Sequence, residues 1–192
     1  MKIPAKALFL ALSLVIVPAA LAQQQTLAVN PDSSQVSFVL GGNTHHVSGT
    51  FHVQSGSIVF DRSAATISGS VVVSALSGIS GDASRDKKMN SDVLETAKFA
   101  EISFVPKSYQ GTISASGDST IQVTGVFTLH GTPHDLTVPM QIHIEGSSLT
   151  TTTHFTVPYV KWGLKDPSIF VLKVAKEVDI DLKLVGTLAS PK

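Results

Sequence analysis

Residues Ile121 to Ile144 read IQVTGVFTLHGTPHDLTVPMQIHI, and this stretch decides the fold. Ile121, Val123, Phe127 and Leu129 share one phase of a two-residue period. After Gly131-Thr132-Pro133, Leu136, Val138, Met140, Ile142 and Ile144 share another. Successive strand side chains point to opposite faces, so each half reads as a strand with one face buried, and the break between them reads as a hairpin turn.

The same rhythm extends in both directions. Upstream, Val36, Phe38 and Leu40 alternate with Gln35, Ser37 and Val39; Val47, Gly49, Phe51 and Val53 follow, then Ile67, Gly69, Val71, Val73 and Ala75. Downstream, Thr150, Thr152 and His154 oppose Thr151, Thr153 and Phe155, a β-branched run suited to a strand near the surface. Val178, Ile180, Leu182 and Leu184 close the series, with Asp179, Asp181 and Lys183 on the other face. Connectors are expected at Gly41-Gly42-Asn43, Ser55-Gly56, Ser116-Gly117-Asp118 and Gly146-Ser147, and Gln23 to Ala28 reads as a polar lead-in. Eight or more such strands make an all-β antiparallel sandwich or barrel; the barrel is preferred because closure removes exposed edges. One segment departs from the rhythm. Asp82 to Glu95 (DASRDKKMNSDVLE) has no Gly or Pro, places Met89, Val93 and Leu94 at helical spacing, and starts on a capping Asp82. It predicts one short helix capping an end of the barrel.

The N-terminus reads as an export signal over residues 1–22: Lys2 and Lys6, an apolar run from Ala7 to Val17, then Ala20-Leu21-Ala22 before the expected cut. The apolar run is too short to span a bilayer as a helix. Cleavage leaves residues 23–192 as one domain, without a transmembrane segment, in the periplasm or outside the cell. It also removes two of the 14 basic residues, against 14 acidic ones. This near-neutral balance argues against nucleic acid and against long-range steering to an anionic membrane. With no cysteine in the chain, disulfides, thiol chemistry and thiolate-bound metals are ruled out.

Chemistry-bearing clusters are weak. His45 and His46 fall in a connection, His52 in the next strand, and His143 on an outward strand position. His130 and His134 flank the central turn; with His154 or Asp135 they could hold zinc or copper, which leaves an exported metal-dependent protein as an alternative. Asp82, Asp86, Asp92 and Glu95, interleaved with Arg85, Lys87 and Lys88, read as a solvated helix face, although Arg85-Asp86 could tie the helix to the barrel mouth. No nucleophile elbow, phosphate-binding loop or calcium loop is present, so no catalytic residue, metal or cofactor is assigned. The apolar inventory points instead to an interior lined by Phe38, Phe51, Phe60, Val71, Phe104, Phe127, Met140, Ile142, Phe155, Ile180 and Leu182. Pattern alone leaves a solid core and a ligand cavity equally open, and a barrel without ligand remains an alternative. Gly49, Gly69 and Gly125 on apolar faces favour space inside or close approach.

Several motifs then occur in a telling order: LAVNPDSSQVSFVL at 27–40, VSGTF at 47–51, GSIVFD at 56–61, SRDKKM at 84–89, AEISFVPKSY at 100–109 and VTGVFTLHGTPHDLTVP at 123–139. Together they resemble the YceI family, lipocalin-like barrels exported by bacteria that bind polyisoprenoids, over about Leu27 to Leu188. The resemblance implies a lumen holding a polyisoprenoid or other long-chain lipid and a possible homodimer. It departs from the family at Asp92-Val93-Leu94, where a pair of aromatics is usual, and at VPYVKWGLKDPSIFVLKV (157–174), where it places Trp162 at the pocket mouth. Arg85 becomes the expected partner of an anionic head group.

Overall fold

The computed structural model describes residues 24–43 and 46–189; the expected export signal and His45 lie outside them. Nine strands run β1 Gln24–Val29, β2 Gln35–Gly42, β3 Val47–Asp61, β4 Thr66–Ile79, β5 Glu101–Gly111, β6 Gly117–Leu129, β7 Thr132–Glu145, β8 Ser148–Val157 and β9 Val174–Ala189. Helix α1, Ala83–Lys88, lies between β4 and β5. All pairings are antiparallel. The sheet passes from β3 through β4 to β9 in sequence order, and β1 and β2 close it between β9 and β3.

β1 and β2 occupy one slot in that ring. β1 pairs with the end of β3 (Ser57 to Asp61) and of β9 (Gly186 to Ala189), β2 with the start of each. They are a single stave broken at Pro31–Ser33, where the Asp32 N–H donates to Asn30 Oδ1 (3.0 Å) and Ser34 Oγ donates to the Asn30 carbonyl (2.7 Å). Nine strands therefore make eight staves, the size at which side chains just fill a barrel or leave room for one ligand.

Two local expectations are corrected. Gln24 onwards is no lead-in: it is β1, and its pairing partners, at 57–61 and 186–189, lie beyond the reach of local pattern. Ser55-Gly56 is no connector either. β3 runs straight through it as a strand of 15 residues, with a bulge at Gln54 between the pairs Val53–Val73 and Ser55–Val72. The extra residue flips the phase, so that Val47 and Phe51 before it and Ile58 and Phe60 after it all face the interior.

The segment expected as a helix over 82–95 is regular only over Ala83–Lys88, with Asp82 Oδ1 accepting from the Arg85 N–H (2.8 Å). It then widens into one turn, Met89–Val93, where the Leu94 N–H donates to the Met89 carbonyl (2.8 Å), and it ends at Glu95 in the left-handed region (φ 45°). The β6–β7 turn is tighter than the sequence suggests. Leu129 pairs with Thr132, so His130 and Gly131, both at positive φ, form a two-residue hairpin loop and Pro133 belongs to β7.

Candidate ligand-binding lumen

Alternation puts Phe38 of β2, Phe104 of β5, Phe127 of β6, Met140 and Ile142 of β7, and Ile180 and Leu182 of β9 on the inner wall. Phe51, Phe60, Val71 and Phe155 join them. They surround a cavity of about 540 Å³. The sequence reading did not assign other wall residues to the lumen, among them Leu27, Leu136 and Val138, and on β8 it set Thr151 and Thr153 in the phase of Phe155 but took the run for a strand near the surface. Thr151 and Thr153 share the phase of Leu149, Phe155 and Val157, face the lumen and are buried there. Their common phase with Leu149 and Phe155 was the available signal; the threonine composition hid it.

The cavity is narrow and long. Its lining on β8 runs from Leu149 to Val157. At a rise of about 3.3 Å per residue and a strand tilt of 35–45°, that is roughly 20 Å of barrel axis. The 540 Å³ spread over such a length leaves atom centres a cross-section about 6 Å wide, and carbon atoms in contact sit about 4 Å apart, so an extended hydrocarbon chain fits along it.

The glycines contribute differently from the expectation of free space. A Cβ on Gly49 would lie 2.2 Å from the Ile79 carbonyl and 2.5 Å from the Phe38 ring, and one on Gly125 2.5 Å from the Val105 carbonyl and 2.6 Å from the Phe104 ring. Each phenyl ring occupies the side-chain space its glycine leaves open, so the ring is taken up by the wall. At Gly69 the neighbour is the backbone: the Ser57 carbonyl would sit 2.0 Å from a Cβ. Glycine here buys close approach of ring or strand.

One end of the bore is sealed by buried apolar groups, including Leu27, Phe60, Ile113 and Leu149, with Tyr109 packed among them and donating its hydroxyl to the Asp61 carbonyl (3.0 Å). Burial, with the Asp61 charge, raises the Tyr109 pKa. At the other end lie α1, the turn after it and the long β8–β9 connection. Met89, Val93 and Leu94 line the cavity there, as expected for a cap, together with Tyr159, Leu164, Ile169 and Leu172. Burial, and to a lesser degree Asp166, pushes Tyr159 up to about 12; its hydroxyl donates to the Ala175 carbonyl (2.7 Å). Both tyrosines therefore remain neutral. Among the described residues, charged lining groups occur only at this mouth: Asp82, Arg85, Lys88 and Lys173. Arg85 is fixed by Nε donating to Ser80 Oγ (2.7 Å) and a terminal nitrogen donating to the Ser80 carbonyl (2.8 Å), while Asp86 accepts from the Ser80 N–H (2.8 Å). The Arg85-Asp86 pair thus does tie the helix to the end of β4.

Trp162 stands apart from the other expected lumen residues. It does not line the cavity itself: its ring stacks on His134 (4.0 Å, 6°), which is paired with Phe127 and shares its inward phase, and lies 5.8 Å from the Phe127 ring, so it packs with Leu94, Leu129, Tyr159 and Leu164 at the mouth end. The histidines are also dispersed. His130 Nε2 meets Glu95 Oε2 (2.8 Å) with Phe99 against its ring, His134 belongs to Trp162, His154 Nδ1 meets Asp181 (2.9 Å) and Asp135 meets Lys107 (3.5 Å). The four candidate ligands do not converge, and among the described residues no group of three His, Asp or Glu side chains is placed to hold a metal ion. His143 pairs with Asp118 on the outer surface.

A closed antiparallel barrel with an apolar bore and charged groups at one end is a lipocalin-like barrel. The chain belongs to the YceI-like domain family, whose model matches residues 27–186. A UPF0312 protein of Shewanella sp. (strain MR-7) is 38% identical over 151 residues, 73% of this chain and 74% of that protein. Among solved structures, Burkholderia cenocepacia BcnA is similar at a TM-score of 0.68 and 25% identity, over 83% of this chain and 99% of that one. A polyisoprenoid binding domain from Saccharophagus degradans implicated in plant cell wall breakdown shares the fold at a TM-score of 0.63 and 15% identity, over 86% of this chain and 98% of that one.

Proposed function

We propose that this protein binds and carries a single long-chain lipid, a polyisoprenoid or fatty chain, in the barrel lumen, and that it does so after export, in the periplasm or outside the cell. The carrying observation is the bore: about 540 Å³, roughly 20 Å long, apolar along its length and charged at the mouth. Each CH₂ moved from water into it is worth about 0.8 kcal/mol, so a long chain binds through its tail without a strong polar contact. The bore of roughly 20 Å exceeds one leaflet of a bilayer core about 30 Å thick, which favours tails longer than ordinary membrane acyl chains. Arg85, held at the rim, is the partner for an anionic head group. The structural neighbour described as a polyisoprenoid binding domain supports the ligand class. Binding, not catalysis, is the role this site suits.

The test is Met140→Glu, which places a carboxylate halfway along the apolar wall. Wild-type protein incubated with a long polyprenol should retain it through gel filtration, and the folded variant should not. Equal retention by both would remove the lumen as the binding site. The intact mass of protein recovered outside the cytoplasm checks export and the cut after Ala22.

A further inference from the structure

The connection from β8 to β9 ends in a hairpin tip of unusual composition. The Ile169 N–H donates to the Leu172 carbonyl (2.9 Å), which leaves Phe170 and Val171 at the turn. Turn positions ordinarily carry Gly, Pro, Asn, Asp or Ser, each for a conformational reason. Here Phe170 is 95% exposed, Val171 69%, Ile169 55% and Leu172 46%. The tip is held in place: Asn43 Nδ2 donates to the Val171 carbonyl (3.2 Å), the Asn43 N–H donates to the Lys173 carbonyl (3.0 Å), and Ser168 Oγ accepts from the Val174 N–H (3.1 Å). A fixed turn that presents four large apolar side chains to water does nothing for the barrel's own stability.

Its position gives it a use. Ile169 and Leu172 also line the cavity, so the tip continues the lumen wall outward at the mouth. Lys88 and Lys173 line the same opening, and among the described residues neither forms an ion pair. Resting on the carrier reading, we propose that this tip is a membrane-docking element: Phe170 and Val171 enter the acyl region of a phospholipid leaflet, Lys88 and Lys173 meet its phosphates, and the lumen mouth then faces the layer from which a lipid is taken or to which it is returned. Apolar residues below basic ones match the order of a leaflet, acyl chains below phosphates. The near-neutral charge of the chain is compatible with this, because docking here is short-range insertion and needs no long-range steering. A second copy of the chain fits less well. A large aromatic offers roughly 150–250 Å², and a tip of four partly exposed side chains falls short of the roughly 800 Å² per partner of a stable interface.

The experiment is flotation of the full-length exported protein with vesicles of phosphatidylethanolamine and phosphatidylglycerol, beside native mass spectrometry of the same samples. Wild type should float with the vesicles. Phe170→Asp, at a position too exposed to disturb folding, should bind at least about tenfold more weakly, the scale set by burial of one aromatic side chain. Lys88→Gln with Lys173→Gln should weaken binding by about fivefold per lysine. Phe170→Asp, which lies outside the cavity lining, should keep its bound lipid. Equal flotation of wild type and Phe170→Asp, or no flotation of wild type, overturns the proposal. So does a dimer in gel filtration that Phe170→Asp dissociates, because the tip is then covered by another copy. A lipid-loaded protein that ignores vesicles defeats docking alone; a protein that floats but never carries lipid defeats the carrier reading instead.

Discussion

Two lumen threonines on one strand differ in a way that fixes opposite responses to the same substitution. Thr151 Oγ1 donates to the Gln141 carbonyl (2.9 Å), whereas Thr153 Oγ1 is buried in the apolar wall without a partner. Replacing threonine by valine exchanges a hydroxyl for a methyl of similar size. At Thr153 it removes an unsatisfied buried polar group, whose burial costs about 1–3 kcal/mol, so Thr153→Val should stabilise the protein by about 1 kcal/mol. At Thr151 it removes a made hydrogen bond, so Thr151→Val should destabilise by about 1 kcal/mol. For a protein of this size each corresponds to roughly 2–4 °C in Tm, in opposite directions. Thermal unfolding of lipid-free protein by circular dichroism reads both, and delipidation is essential because bound ligand raises Tm by mass action. If both variants lose stability alike, Thr153 does not face a dry wall, and the assignment of the β8 inner face fails.

Affinity should rise with chain length by about 0.8 kcal/mol per added CH₂ and level off once the extended chain exceeds the bore of roughly 20 Å; titration with an alcohol series measures it, and a continued rise would contradict a closed end. Tyr109→Phe leaves the Asp61 carbonyl without its buried donor and should lower stability by about 1 kcal/mol, read by urea unfolding. Asp61 accepts from the backbone N–H of Ala64, the Ser63 hydroxyl and the Ser63 N–H, and these bonds lower its pKa below 3.8. The unfolded chain takes up that proton first, so the contribution is present above about pH 4 and lost as pH falls through the folded value. Asp61→Asn should accordingly lower Tm at neutral pH and flatten its decline in acid.

How far the sequence carried this follows from which contacts are local. The β6–β7 hairpin was legible because Ile121 to Ile144 contains both strands, their turn and their common face. β1 was not, because Gln24 and Gln25 carry no apolar rhythm and their strand exists only through partners at 57–61 and 186–189. The bulge at Gln54 inverted the phase of β3, which made one strand look like two with a turn between them. Eleven wall positions were readable from alternation, yet alternation is blind to volume: a solid core and a bore use the same residues, and Gly49 and Gly125 were ambiguous until the rings of Phe38 and Phe104 were seen to lie over them. Trp162 packs at the mouth end but behind the lining, a distinction its connection, 158–173, could not show because it has no periodicity to assign a face. The same stretch contains the Phe170 tip, whose apolar run reads in sequence like one more piece of core.

The most direct test of the central claim is native mass spectrometry of the protein as cells export it, followed by solvent extraction. The carrier reading predicts a lipid bound to the polypeptide and released as a discrete long-chain species. A bare polypeptide mass, still unchanged after incubation with polyprenyl lipids, would mean that the bore is an empty core and that the protein is no lipid carrier.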